Sequence, residues 1–447
     1  LKTEILKNNK VYIETYGCQM NVADSEVIGS ILLKEGYRLT DDINEASVIL
    51  LNTCSVRENA ENRIWNRLKA LRYLKKENSE LIIGLAGCMA ERLREKVIEK
   101  EQLVDIVIGP DAYRTLPQLV VDAESDHKAV NVLLSYEETY ADISPVRMDK
   151  NGVTSFVSIM RGCNNMCAYC VVPYVRGAER SRDPESVISE VKQLIKSGYR
   201  EVTLLGQNVD SYRWENNGRI YGFSQLLEQV ALVDPLLRVR FSTSHPKDLS
   251  DELLKVIAQY NNICKHIHLP AQSGSTRILK LMNREYTRES YMERIRTIRN
   301  IIPGCSISTD MISGFCTETE EDHKASLSLM EWADFDFAYM FRYSERPGTR
   351  AARRLKDDVP DNIKTRRLNE IISLQNRLSA KSKEEDIGKV FEVLVEGFSK
   401  RSVDHLSGRT SQNKIVVFPK EDKKKGEYVQ VRIDRCTSAT LLGEIVQ

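Results

Sequence analysis

Three stretches near the start of the chain repeat one pattern, an apolar run that ends in a cysteine: "VYIETYGC" (11–18), "SVILLNTC" (47–54) and "LIIGLAGC" (81–88). "DIVIGP" (105–110) is a shorter run of the same kind. Between them the apolar residues recur with helical period; in "RIWNRLKALRYL", Ile64, Leu68, Leu71 and Leu74 form one stripe. Continuous apolar strands alternating with amphipathic helices predict a parallel α/β sheet. The carboxyl ends of parallel strands line one edge, and ligands bind there. Cys18, Cys54 and Cys88, far apart in sequence, are therefore expected at one edge. Gly17, Asn52 and Gly87 beside them are small or turn-forming and suit close approach of the chain. Buried cysteine is common in α/β cores, but three equivalent placements favour a metal site.

A second alternating series starts at "FVSIM" (156–160) and continues through "EVTLLG", "LRVRFST", "HIHLP", "SISTDMISGF" and "FAYMFRYS". Helical segments separate these runs, with Val187, Ile188, Val191, Leu194 and Ile195 on one face. Six βα-like units predict a partial (β/α)6 barrel, short of the usual eight. Residues 363–383 read as a connecting helix, and beyond them the pattern changes to period two, as in "KVFEVLVEGFS" and "EYVQVRIDR". That predicts a small antiparallel β-barrel. The expected domains are 1–145, 146–383 and 384–447.

The 447 residues carry a net charge of +1, so any attraction to nucleic acid or membrane must come from local patches. No apolar stretch is long enough to span a bilayer, and "LKTEILKNNK" at the start is too polar for a signal peptide. A cytoplasmic, membrane-free protein is expected. Ten cysteines in that setting argue for metal ligands or buried thiols rather than disulfides. Cys264, Cys305, Cys316 and Cys436 show no partner spacing and read as structural.

Cys163, Cys167 and Cys170 stand at C-x3-C-x2-C spacing in "RGCNNMCAYC" (161–170), directly after a predicted strand. Closed zinc and iron–sulfur sites take four protein ligands. Three thiolates can hold three irons of a cubane [4Fe–4S] cluster and leave the fourth free to chelate S-adenosylmethionine. With Tyr169 just before the last cysteine, the motif resembles that of the radical S-adenosylmethionine superfamily, whose reduced cluster cleaves the cofactor to a 5′-deoxyadenosyl radical. Incidental thiols, or a zinc knuckle lacking its histidine, are the bland alternatives. Cys18, Cys54 and Cys88 could hold a second cluster, again with one iron open.

The three-part layout, with "TYGCQMN", "NTCSVRENAE", "GCMAER", "RGCNNMCAYCVVPYVRG", "HLPAQSGS" and "FSKRSVDHLSGRTSQNKIVVF", resembles the methylthiotransferases. That family joins an N-terminal methylthiotransferase domain, a radical barrel and a C-terminal RNA-binding TRAM domain. "NTCSVRENAENRIW" is similar to the branch that acts on N6-dimethylallyladenosine next to the anticodon of tRNA. Other branches act on a second hypermodified adenosine, on a ribosomal-protein aspartate, or in organelles. The chain departs from the family at Ala178, where a basic residue is frequent, and at Cys316-Thr317, where Pro-Gly is frequent.

The resemblance implies two [4Fe–4S] clusters, one at Cys163, Cys167 and Cys170 to make the radical and one at Cys18, Cys54 and Cys88 to handle sulfur. It also implies S-adenosylmethionine, an external electron donor of flavodoxin or ferredoxin type, and a sulfur source that the sequence leaves open. A single-chain state is expected. Candidate contacts to S-adenosylmethionine, taken from strand ends, are Tyr169, Gln207, Asn208, Ser244, Gln272 and Asp310, though polar residues there also cap helices. Candidate RNA contacts are Arg63, Arg67 and Arg72, on a basic segment with Trp65 and Tyr73, and Lys400, Arg401, Arg409 and Lys414 in the tail. The same chemistry on a ribosomal protein, a non-catalytic iron–sulfur RNA-binding protein, and a radical enzyme whose N-terminal cysteines hold no metal stay open as alternatives.

Overall fold

The computed structural model describes residues 9–55, 58–125, 127–149 and 151–446. Of the "SVREN" segment, residues 56 and 57 and the side chains of 58 and 59 lie outside that description. Two compact units emerge. One comprises residues 1–148, 158–165 and 170–186; the other takes 149–157, 166–169 and 187–447.

The first unit is built on a six-stranded parallel sheet: β1 (Lys10–Thr15), β2 (Arg38–Leu39), β3 (Val48–Thr53), β4 (Ile82–Gly87), β5 (Ile106–Ile108) and β6 (Ala129–Asn131). Its order, β2-β1-β3-β4-β5-β6, reverses direction between β1 and β3. Such a switch point opens a crevice at the carboxyl edge. Residues of β3 alternate between two cores. Val48 and Leu50 pack with Ile28, Leu32 and Ile106, whereas Ile49 and Leu51 pack with Ile64, Leu68, Leu71 and Leu74 of the helix Glu58–Glu77. That helix buries all four stripe residues, each worth roughly 1.5–3 kcal/mol over its exposed state.

The second unit carries β7 (Thr154–Ser158), β10 (Glu201–Leu205) and β13 (Arg238–Ser242) in one three-stranded sheet, order β13-β10-β7. A second sheet holds β14 (His266–His268), β15 (Ser306–Ser313) and β16 (Phe337–Arg342). Between β7 and β10 lie the two-residue strands β8 (Met160–Arg161) and β9 (Arg180–Ser181), paired with each other and part of the first unit. The hairpin β11 (Arg213–Asn216) and β12 (Arg219–Gly222) follows β10. Six strands in βα sequence, with parallel pairing at β10–β13, β14–β15 and β15–β16, make the partial barrel. The 24-residue helix Asp361–Glu384 packs against β16 and leads into the tail.

There β17 (Val390–Ser399), β18 (Ser402–Thr410), β19 (Ile415–Pro419), β20 (Tyr428–Cys436) and β21 (Leu441–Val446) close into a barrel. Four pairings are antiparallel, but β19 and β21 run parallel, which a hairpin-based reading of the tail does not foresee. Arg238 and Arg240 of the partial barrel donate to the carbonyls of Arg409 and Thr410, fastening the tail to β13.

Candidate metal centres

In the first unit β1, β3 and β4 are neighbours, and each runs into one of the three dispersed cysteines. Cys18 opens the helix Gln19–Lys34, Cys54 follows β3 directly, and Cys88 is the first residue of the helix Cys88–Leu93. The turn at Gly87 has φ 90°, and a Cβ there would lie 2.6 Å from the Thr53 carbonyl oxygen, so only glycine brings the chain through. A buried amide network ties the strand ends together. Asn21 donates to Asn52 Oδ1 at 3.2 Å and to the Thr53 carbonyl at 3.1 Å, while Asn52 donates to the Asn21 carbonyl at 2.8 Å and Ser25 Oγ at 2.9 Å.

The three thiols share one electrostatic environment. A hydrogen bond with Cys54 and the nearby Arg176 guanidinium lower the Cys18 thiol to about 6, against the opposing effect of desolvation. Burial raises the Cys88 thiol, although Arg176 Nε donates to its Sγ at 3.2 Å. Arg176 is held in turn by Asp24 at 2.7 Å, and Asp24 also receives Arg161 at 2.9 Å. Sequence reading missed Arg176, Asp24 and Arg161; an arginine inside the apolar run "VVPYVRG" was the available signal. Among the described residues, no three His, Cys, Asp or Glu side chains converge as one mononuclear ion requires. A cubane cluster asks for something else, since each thiolate binds a different iron. Three thiols beside a buried cation suit such an anionic group.

Around the C-x3-C-x2-C loop, each cysteine has its own support. Gly162 precedes it at φ 78°, where a Cβ would sit 1.9 Å from the Ala178 carbonyl oxygen. Cys163 N–H donates to the Gly177 carbonyl at 3.1 Å, and Val172 N–H donates to Cys170 Sγ at 3.4 Å. Within the second unit, Arg284 donates to Cys167 Sγ at 3.4 Å and to the Pro270 carbonyl at 3.1 Å. Donors on sulfur orient a ligand and stabilise the charge of a cluster bound to it. Tyr169 meets Phe315 edge to face, with ring centroids 6.4 Å apart.

The strand-end polar residues of the second unit fall into three groups. Both amide atoms of Gln207 are buried without a partner, as is Asn208 Oδ1, while Asn208 Nδ2 donates to Asp248 at 2.7 Å. Buried amides left open in this way fit a polar ligand. Ser244 Oγ instead donates to Asp210 at 3.1 Å, and burial raises that carboxyl to about 7. Gln272, with φ 66°, and Asp310 are joined through their backbones, and His268 Nε2 lies 3.5 Å from Asp310 Oδ1.

The basic candidates separate as well. Arg63, Lys400 and Arg401 are exposed. Arg67 pairs with Glu14 at 2.9 Å and Arg72 with Glu101 at 2.8 Å. Arg409 lies 3.7 Å from Glu396. Lys414 reaches Asp386 at 2.6 Å, Asp336 at 3.2 Å and Ser382 at 2.9 Å, which makes it a fastening for the tail rather than a free cation. Among the described residues, no helix is long and apolar enough to cross a membrane.

Residues 10–109 match the Uncharacterized protein family UPF0004, residues 157–330 the Radical SAM superfamily and residues 384–446 the TRAM domain. A protein of Phocaeicola vulgatus called tRNA-2-methylthio-N(6)-dimethylallyladenosine synthase is 59% identical, over 98% of this chain and 96% of its own length. Proteins of the same name from Chloroherpeton thalassium and Amoebophilus asiaticus are 58% and 57% identical, each over 97% of this chain and over 95% and 92% of their own lengths. Among solved structures, the radical S-adenosylmethionine methyltransferase TsrM from Kitasatospora setae has the same fold, with a TM-score of 0.57 at 14% identity over 77% of this chain and 75% of that one.

Proposed function

The chain belongs to the radical S-adenosylmethionine methylthiotransferase family, and on that premise we propose that it attaches a methylthio group to carbon 2 of N6-dimethylallyladenosine next to the anticodon of tRNA. The observation that carries this reading is the pairing of two cysteine triads in one chain. One is contiguous, at Cys163, Cys167 and Cys170; the other is assembled at a sheet edge, from Cys18, Cys54 and Cys88. Each would hold a [4Fe–4S] cluster. When bound, the first supplies the electron that cleaves S-adenosylmethionine to a carbon radical, and the second carries the sulfur to be transferred.

The chain's own residues prepare these sites. Arg176 donates to Cys88 and Arg284 to Cys167, so a guanidinium holds each of these sulfurs in place. Gln207 and Asn208 present open amide atoms to a polar ligand, for which S-adenosylmethionine is the candidate. A carbon–hydrogen bond on an adenine ring is too weakly acidic for a side-chain base, so the reaction needs a radical. Lys400 and Arg401 on the tail barrel, and Arg63 on the helix Glu58–Glu77, remain as phosphate contacts for tRNA. The electron comes from a flavodoxin- or ferredoxin-type donor, and the enzyme works as a single chain in the cytoplasm.

Nucleoside mass spectrometry tests this. Anaerobically reconstituted protein is given S-adenosylmethionine, reductant and tRNA bearing N6-dimethylallyladenosine, and the digest is searched for the 2-methylthio product. Product from the native chain but not from Cys163→Ala is expected. Accumulation of 5′-deoxyadenosine without modified nucleoside would refute tRNA as the substrate and bring a ribosomal-protein aspartate forward.

A further inference from the structure

Arg176 is a buried cation placed against a thiol. It is 3% exposed, its Nε donates to Cys88 Sγ at 3.2 Å, and its Nη2 donates to Asp24 at 2.7 Å. Its Nη1 is buried and has no hydrogen-bond partner among the described residues. Its ion pairs belong to one buried cluster. Arg161, Arg176 and Arg180 are all buried, and the carboxylates bound to them are Asp24, shared by Arg161 and Arg176, and Asp111, which grips Arg180 with both oxygens at 2.8 and 3.0 Å and lies 3.6 Å from Arg161 Nε. Glu91 nearby is raised to about 7 by burial and makes its ion pair with Arg94. Among the described residues, three buried guanidiniums therefore share two carboxylates, an arrangement suited to an added anion.

At the thiols Arg176 supplies both a donor, to Cys88 Sγ, and a positive charge that acts on Cys18 as well. We propose that Arg176 is a positioning residue that raises the reduction potential of the cluster held by Cys18, Cys54 and Cys88, with Asp24 fixing its guanidinium; this rests on the reading of a second cluster given above. The physics is direct. A reduced cluster carries one more negative charge than an oxidised one, so an N–H donor on a ligand sulfur and a buried cation stabilise the reduced form more. Low local dielectric magnifies the difference. Arg176 lies six positions beyond Cys170, so the segment that bears the radical motif also supplies the residue tuning the other cluster.

The test uses the full chain with Cys163→Ala, Cys167→Ala and Cys170→Ala, which leaves one cluster to observe. After anaerobic reconstitution with iron and sulfide, the protein is titrated with dithionite and followed by electron paramagnetic resonance. Arg176→Met removes charge and donors together, whereas Arg176→Lys keeps the charge. About four irons per chain are expected throughout, one cubane's worth. Arg176→Met should lower the equilibrium constant for reduction about tenfold, a shift of about 59 mV to more negative potential for one electron. Arg176→Lys should shift it less. Where Arg176→Met fails to retain iron, Arg176→Gln, which keeps an amide donor without the charge, is read in its place with the same expected direction. Full iron content with an unshifted potential overturns the assignment, because a purely structural arginine would leave the potential alone. Absence of iron from the triple-cysteine variant itself sinks the second cluster, and this inference with it, before any potential is read.

Discussion

The two cysteine triads are built in opposite ways. Cys163, Cys167 and Cys170 fall within eight positions, and local chain geometry supplies much of their surroundings. Cys18, Cys54 and Cys88 are spread over 71 positions and meet only because β1, β3 and β4 are adjacent parallel strands. The contiguous triad needs a loop; the dispersed one needs a finished sheet, glycine at a tight turn, and an asparagine network to lock the strand ends. A loop motif can therefore be carried from fold to fold, whereas a sheet-edge triad is tied to one topology.

Deleting one ligand from each triad tests this contrast most severely. Cys163→Ala and Cys54→Ala should each abolish methylthiolation and each lose about four of roughly eight irons. Only Cys163→Ala should also abolish release of 5′-deoxyadenosine; iron analysis and nucleoside chromatography read both outcomes. Gly87→Ala breaks the support of the dispersed triad alone. Forcing a Cβ at φ 90° against the Thr53 carbonyl should cost about 2–4 kcal/mol, measured by denaturant unfolding of the apoprotein.

Each unit also holds an aspartate near its strand ends, buried at Asp24 and half-buried at Asp210, with opposite consequences. Asp24 is held ionised by Arg161 and Arg176, while Asp210 meets Ser244, the His245 amide and the carboxylate of Asp248 and makes no ion pair among the described residues. Burial raises Asp210 from 3.8 to about 7. Between those values the folded chain binds a proton that the unfolded chain has released, so its contribution to stability falls as pH rises and is fully unfavourable above 7. Asp210→Asn should flatten that slope and stabilise the protein at pH 8 by about 1–3 kcal/mol, seen in unfolding curves at pH 5 and 8.

The tail gives a comparison between two kinds of lysine. Lys414→Ala should loosen the barrel by about 2–3 kcal/mol, because Asp386 and Asp336 lose their partner. Lys400→Ala and Arg401→Ala should leave stability within about 0.5 kcal/mol. Each should weaken tRNA binding and reduce its salt dependence by about one unit of logarithmic slope, as measured by filter binding across a salt series. The smallest effect is expected at Thr317, a β-branched residue at φ 63°. Thr317→Gly should relieve up to about 1 kcal/mol of strain, less what is lost with the 3.1 Å bond from Arg277 to its hydroxyl.

Much of this was legible in the sequence for one reason: period and spacing are local. Apolar runs of strand length separated by helical stripes specify βα units, and the stripe at Ile64, Leu68, Leu71 and Leu74 is buried as that logic requires. C-x3-C-x2-C spacing is likewise complete within one loop. What pairs across long separations was not legible. Arg67, Arg72 and Lys414 have partners 53, 29 and 28 positions away, and sequence alone does not show these ion pairs. Arg176 and Asp24 are 152 positions apart, so no pattern in the chain announces that they share a charge beside Cys88. The sequence by itself determined the elements, their order and the kinds of ligand available. Only the tertiary structure decided which charges pair and which one lies against the thiols, because electrostatic energy depends on distance and burial, and neither is a local property of the chain.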